Sequence, residues 1–309
     1  MALLALEGVH KRFGKVEVLR GIDLAVEQGS VYGFIGKNGS GKTTTMKLVV
    51  GLLKADAGAL SIKGRPVAFG QTPTNRDVGY LPDVPEFYGF MNALEYLAFC
   101  GKVTGMNRTD RERKSAELIG LVGLAGDARR RIRGYSRGMK QRLGIAQALI
   151  HSPALLLCDE PTSALDPQGR SEVLSILSAV RERTTVVFST HILTDVERIC
   201  DTIGVLNNGV LVLTGSLDEL KRSTRSNTIC FTLDPDTLPD TLARLAAALQ
   251  ALPFVRAVSG EGAVFRVDVN DAPADTRALA SVLVSHDVAL HDYRVMAPSL
   301  ESLYLELIA

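Results

Sequence analysis

Eight residues, Gly36-Lys37-Asn38-Gly39-Ser40-Gly41-Lys42-Thr43, set three glycines, a lysine and a hydroxyl in the order GxxxxGK(S/T). That order suits a triphosphate, whose negative charges must be met without bulky side chains in the way. Gly36, Gly39 and Gly41 let the backbone curl until successive N–H groups face one phosphate. Lys42 brings a full positive charge to the β- and γ-phosphates, and the Thr43 hydroxyl suits Mg²⁺. A helix opening at Thr43 adds the positive end of its dipole. Asn38, Ser40 and Thr44 lie in the same loop and first turn and join the expected nucleotide contacts.

Downstream, Leu155-Leu156-Leu157-Cys158-Asp159-Glu160-Pro161 runs an apolar strand into two adjacent carboxylates. Parallel sheets bind their ligands at the carboxyl ends of strands. Alternation along a strand sends Asp159 and Glu160 to opposite sides, so they are expected to have separate tasks. Asp159 suits Mg²⁺, directly or through a water, and Glu160 suits the group that polarises an attacking water. A third run, Tyr135-Ser136-Arg137-Gly138-Met139-Lys140-Gln141, precedes an apolar helix expected to start near Gln141. Ser136 to Gly138 offers a hydroxyl, free N–H groups and a helix N-terminus, which are again ligands for a γ-phosphate. Taken alone, it also fits an ordinary helix cap.

These residues need elements to hold them. Residues 3–9 and 16–26 read as strands at period two, broken at Phe13-Gly14-Lys15. Val31 to Ile35 is a short apolar strand running straight into the glycine loop, and Thr43 to Leu53 reads as a helix. Met91 to Val122 is helical, interrupted by the charged stretch Arg108 to Lys114. Arg142 to Ile150 is a further helix, and 154–158 and 186–189 are buried strands. Such alternation implies a mainly parallel sheet with helices on its faces, an α/β fold. The composition turns polar at 223–227, a linker that divides 1–222 from 223–309. Beyond it the order is strand (228–233), helix (240–252), strand (254–258), strand (263–269), helix (276–285), strand (288–294), helix (299–308). That string suggests a small α+β domain of ferredoxin-like type with an added terminal helix.

The 309 residues are 46% apolar and 22% charged, as in a globular chain, and the net charge of +1 argues against a dedicated nucleic-acid binder. Cys100, Cys158, Cys200 and Cys230 lie far apart without metal-ligand spacing and read as reduced, mostly buried thiols. No apolar run reaches the ~18–20 residues of a membrane span. The start of the chain has no basic region before its short apolar segment, so no secretory signal is expected.

Tyr135 to Gln141, taken with the phosphate loop, closely resembles the LSGGQ signature of ATP-binding cassette (ABC) ATPases, and the similarity covers roughly residues 3–220. The resemblance implies a P-loop NTPase cassette with a RecA-like core, an antiparallel β subdomain and a helical subdomain. It implies an ATP hydrolase using ATP and Mg²⁺, with two cassettes closing head-to-tail so that Ser136 and Gly138 reach the γ-phosphate held by the other copy. Arg137 stands where the family usually has a glycine, and a positive φ there would be strained. Ser163-Ala164-Leu165-Asp166 matches the family's D-loop. His191, in Ser189-Thr190-His191, matches the residue that holds the γ-phosphate and orients water. Phe13 matches the aromatic that stacks on adenine, although a core role also fits it.

The family's Q-loop glutamine is replaced by Asp83, whose carboxylate can still face Mg²⁺ or its water. Carboxylates there, the Met-Lys-Gln-Arg after Gly138, and the end Pro298 to Tyr304 all resemble the ATPase subunits of type-two exporters. Six aromatics fall between Tyr80 and Phe99. In the family this region receives the membrane subunit, so Phe87, Tyr88 and Phe90 are expected to dock it and Tyr96 and Phe99 to be core. The resemblance therefore implies a homodimer with a separate transmembrane permease docking near Asp83 to Phe90. It places the chain in the cytoplasm, on the inner face of the membrane, with no nucleic-acid partner. A soluble relative acting on nucleic acid or ribosomes is the rival; those usually carry two cassettes, a coiled coil or basic arms.

Overall fold

The computed structural model describes residues 2–70, 72–223, 227–286, 288–296, 300, 301 and 304. The chain divides into two units, the first ending at Leu217 and the second beginning at Asp218. The division falls ahead of the polar stretch expected as linker, of which 224–226 lie outside the described residues.

The first unit contains, in order, β1 (Ala2–Phe13), β2 (Val16–Glu27), β3 (Val31–Ile35), α1 (Lys42–Val49), β4 (Ala57–Ile62), β5 (Arg65–Pro66), β6 (Val78–Leu81), α2 (Ala93–Val103) and α3 (Arg108–Leu121). It continues with α4 (Arg137–Leu149), β7 (Leu155–Asp159), α5 (Pro167–Val180), β8 (Thr185–Thr190), α6 (Leu193–Ile199), β9 (Thr202–Asn207) and β10 (Val210–Ser216); α7 (Leu217–Ser223) follows. One sheet has the order β2-β1-β4-β5 and is antiparallel throughout. A six-stranded sheet has the order β10-β9-β3-β8-β7-β6, parallel except for β10. Every residue of β3, β7 and β8 is buried, and their sequences VYGFI, LLLCD and TVVFST show the unbroken apolar character of strands covered on both faces.

Leu4, Leu6 and Ile22 of the first sheet pack with Tyr32, Phe34, Leu155 and Leu157 of the second and with Met46 and Leu48 of α1. This cluster fixes the starting point of α1, and with it the loop before it. Truncating a side chain such as Leu157 to alanine is expected to cost about 2–5 kcal/mol.

Side-chain caps set where the helices of 92–149 begin. Asn92 and Glu95 form a capping box on α2, Asn107 caps α3, and Ser136 caps α4. The charged stretch 108–114 is therefore no interruption. It is the first half of α3, partly exposed and carrying ion pairs such as Arg108–Glu112 at 2.8 Å, and the break falls instead at Gly105, with φ 83°. Likewise α1 stops at Val49, short of Leu53, because Gly51 turns the chain at φ 74°.

The second unit follows the order β11 (Thr228–Leu233), α8 (Pro239–Gln250), β12 (Val255–Glu261), β13 (Val264–Val269), α9 (Ala272–Ser285), β14 (Leu290–Val295). Its antiparallel sheet has the order β12-β13-β11-β14, the ferredoxin-like arrangement expected from the βαββαβ string. Ile229, Phe231, Phe265 and Val267 form its core with Leu245, Leu249, Leu279 and Leu283. Of the expected terminal helix, Leu300, Glu301 and Tyr304 are helical; the remainder lies outside the described residues, as does most of the exporter-like ending. All four cysteines are free, Cys158 and Cys230 buried and the other two half-buried. Among the described residues no helix is long and apolar enough to cross a membrane.

Candidate active site

The glycine loop spans the gap from β3 to α1 in a path that side chains would block. A Cβ on Gly36 would stand 2.5 Å from Leu206 O and from Ser40 Oγ, and Gly41 adopts φ 115°. The helix begins at Lys42, one position earlier than expected. Lys42 is 5% exposed. Its Nζ donates to Gly36 O at 2.6 Å and to Lys37 O at 3.3 Å, so the ammonium curls over its own loop. The same Nζ lies 3.2 Å from Glu160 Oε1, a charge contact without hydrogen-bond alignment.

Glu160 comes from the end of β7, which pairs with β6 on one side and β8 on the other. The separation from Asp159 is real, but strand alternation is not its cause. Glu160 has already left the strand in a left-handed turn at φ 47°, a conformation costing about 1–2 kcal/mol for an L-residue. Ser189, fully buried on β8, ties the two together: its Oγ donates to Asp159 Oδ1 at 2.7 Å and accepts from Glu160 N at 3.0 Å. Glu160 Oε2 lies 2.9 Å from His191 Nδ1, which donates when the neutral ring carries its proton there. A single carboxylate thus spans a lysine and a histidine.

Asp83 follows β6. Its Oδ1 is buried without a hydrogen-bond partner. Burial raises its pKa above the usual carboxylate range, and Asp159 and Glu160 push the same way against the opposing charge of Arg137. Hard oxygens crowded by their own negative charge are suited to a divalent cation, so Asp83, Asp159 and the Thr43 hydroxyl fit Mg²⁺. Phe13, Val18, Asn38, Gly39, Gly41, Lys42, Thr43, Thr44, Asp83 and Glu160 line one cleft of about 550 Å³. Phe13 is 47% exposed there, backed by Lys11 Nζ at 5.3 Å from its ring centre, which overturns the core alternative for this ring.

Gly36, Ser40, Asp159 and His191 are not among its lining residues, and neither are Ser136, the N-cap of α4, and Gly138 in its first turn. Ser136 Oγ accepts from Met139 N at 3.2 Å, so α4 starts at Arg137, ahead of the expected Gln141. The strain expected at Arg137 is absent, because the residue sits in the first helical position with no positive φ.

Among the aromatics, Tyr88 and Phe90 are 52% and 67% exposed, while Phe87 is half-buried edge-on against Tyr96 at 5.1 Å. Tyr96 is core, with its hydroxyl on Gln147. Phe99 is not: it is 41% exposed and meets Tyr88 on the surface. The buried face of α2 is Ala93, Tyr96, Leu97 and Gly101, and position 99 falls off that stripe. Sequence reasoning missed the two-way role of Ser189, although it stands beside His191. It also missed Thr162 and Asp195, which form a buried hydrogen bond behind the site.

Residues 19–163 match the ABC transporter domain family. Over 309 aligned residues the chain is 36% identical to the uncharacterized ABC transporter ATP-binding protein YxlF of Bacillus subtilis (strain 168), covering 99% of each. The chain belongs to the ABC transporter ATP-binding family. It is also 30% identical over 313 residues to the linearmycin resistance ATP-binding protein LnrL of the same strain, covering 99% of this chain and 98% of that one. The solved structure of an ABC transporter ATP-binding subunit matches 72% of this chain and 92% of its own, at 31% identity and TM-score 0.64. As an ABC ATPase the chain binds and hydrolyses ATP. Subunits of this ABC kind generally dimerise and pair with transmembrane subunits.

Proposed function

We propose that the chain is the ATPase subunit of an exporter, dimerising around two MgATP and driving a separate permease. The similarity to a linearmycin resistance protein along nearly the whole chain supports export as the direction. The observation that carries the catalytic reading is Glu160, whose carboxylate lies 3.2 Å from Lys42 Nζ and 2.9 Å from His191 Nδ1 at the mouth of an interior strand.

Phosphoryl transfer asks the protein mainly for position and charge. Phe13 stacks on the adenine. Backbone N–H groups from Gly36 to Thr43 and the ammonium of Lys42 hold the β- and γ-phosphates. Thr43, Asp83 and Asp159 would hold Mg²⁺, which when bound neutralises phosphate charge. Glu160 orients the attacking water and takes up its proton at a carboxylate oxygen, and His191 fixes that carboxylate through its Nδ1 contact. Ser136 and Gly138, absent from their own chain's cleft, serve the nucleotide held by the second copy. Tyr88 and Phe90, exposed a few residues after Asp83 in the chain, receive the permease. That seating would place the chain on the cytoplasmic face of the membrane.

The test is size-exclusion chromatography of Glu160→Gln with MgATP, followed by affinity capture of the native protein from detergent extracts. A stable ATP-bound dimer and a co-purifying multispan protein are expected. A variant that stays monomeric with ATP bound, together with no membrane partner, overturns the reading.

A further inference from the structure

The strands β7 and β8 are paired neighbours, and each ends in a turn bearing a reacting group, Glu160 on one and His191 on the other. Behind that pair lies a second link. Thr162 Oγ1 donates to Asp195 Oδ2 at 2.6 Å, with Thr162 fully buried and Asp195 only 2% exposed. Thr162 lies midway along the turn from Glu160 to α5, and Asp195 lies in the first turn of α6, just beyond His191.

The turn around Thr162 does not hold itself. Glu160 at φ 47° and Ala164 at φ 51° are both left-handed without being glycine, one on each side of Thr162. Its internal backbone bonds, Ser163 N to Glu160 O at 3.0 Å and Leu165 N to Thr162 O at 3.3 Å, close the turn without attaching it to α6. The Thr162 hydroxyl makes that attachment. Asp195 is a buried acid that the proposed mechanism does not use. Burial raises its carboxyl above the usual range, against the hydrogen bond from Thr162 and the charges of Arg170, Arg198 and His191. A buried carboxylate is costly to keep unless its contacts matter.

We infer that Asp195 is a positioning residue for ATP hydrolysis: through Thr162 it holds the Glu160 turn and the following segment, Ser163 to Asp166, in fixed relation to His191. The inference rests on the roles proposed above for Glu160 and His191. Misplacing Glu160 slows the chemistry while the phosphate loop, anchored on β3 and α1, continues to bind ATP.

Steady-state ATPase kinetics on the full chain test this. Thr162→Val and Asp195→Ala are expected to lower kcat by about 10–100-fold, the range that a small misplacement of a reacting group produces. The KM for ATP should stay within about two-fold, because ground-state binding is untouched. Thr162→Ser and Asp195→Asn keep a donor and an acceptor and should recover most of the lost rate. Asp195→Ala combined with His191→Ala should lose less than the product of the single effects. Should Asp195→Ala fail to fold, the contrast between Thr162→Val and Thr162→Ser decides the matter. Parental kcat in Thr162→Val, or strictly multiplicative losses in the double variant, overturns the inference. Glu160→Gln in the same assay separates the two levels: its collapse beside an active Thr162→Val sinks the positioning role alone, whereas its full activity sinks the underlying reading.

Discussion

Lys42 and Glu160 meet at 3.2 Å although one opens helix α1 near the start of the chain and the other follows the interior strand β7, more than a hundred positions later. Their side chains are 5% and 12% exposed, so each is the other's chief charge in a place with little water. Removing one leaves the other poorly matched, which makes the two informative to change separately.

Glu160→Gln keeps the shape and removes the proton acceptor. ATP binding should be retained while turnover falls by about 10²–10⁴-fold, the usual worth of a positioned base. Equilibrium binding of labelled ATP beside a phosphate-release assay checks this. Hydrolysis at the parental rate would show that another group activates the water.

Lys42→Ala removes the buried ammonium expected to meet the β- and γ-phosphates. A charged hydrogen bond contributes about 1.5–3 kcal/mol, so affinity for ATP should drop by about 10–100-fold. Isothermal titration measures it directly, and parental affinity would refute the placement of the triphosphate.

Phe13→Ala tests the base end of the cleft. Loss of stacking on adenine should weaken ATP binding by about 1–3 kcal/mol, and Phe13→Tyr should bind as the parent does. Because Phe13 is already 47% exposed, stability should barely change. Thermal melting without nucleotide separates a binding defect from a folding one.

His151 gives a pH dependence of known sign. Burial lowers its pKa below the ordinary histidine value, while its hydrogen bond to Val78 O and the charge of Asp77 oppose that shift. The unfolded chain therefore binds this proton more tightly than the folded one. The stabilisation is present above the unfolded value of about 6.5 and is lost as pH falls toward the lower folded one. In His151→Gln, whose amide can still donate to Val78 O, the fall in Tm between about pH 7.5 and about pH 5.5 should be smaller. An equal fall in parent and variant would assign the acid sensitivity elsewhere.

Much of this arrangement is legible in the sequence, because it is local. The apolar run of β3, the glycines and the start of α1 are contiguous, as are β7 and its two carboxylates. The βαββαβ string of the second unit was legible for the same reason, its periodicities switching cleanly. What escaped depends on distant neighbours. β4 and β10 are absent from the expected elements: only Leu60 and Ile62 of β4 are buried, and no residue of β10 is fully buried. The left-handed turn at Glu160 is held by Ser189, 29 positions further along, and Phe99 faces water because of what packs on the rest of α2. Helix α4 opens at Arg137, ahead of the expected Gln141, because the capping bond from Met139 N to Ser136 Oγ sets its first turn.

Strand β6 forms one margin of the six-stranded sheet, and among the described residues β7 is its one neighbouring strand. Asp159 and Glu160 leave a strand gripped on both flanks; Asp83 leaves one gripped on a single flank. Pressure applied to Tyr88 and Phe90 would therefore find its give at Asp83, with the inner pair standing firm. If the proposed permease seats there, the outermost carboxylate would feel that push before the other two.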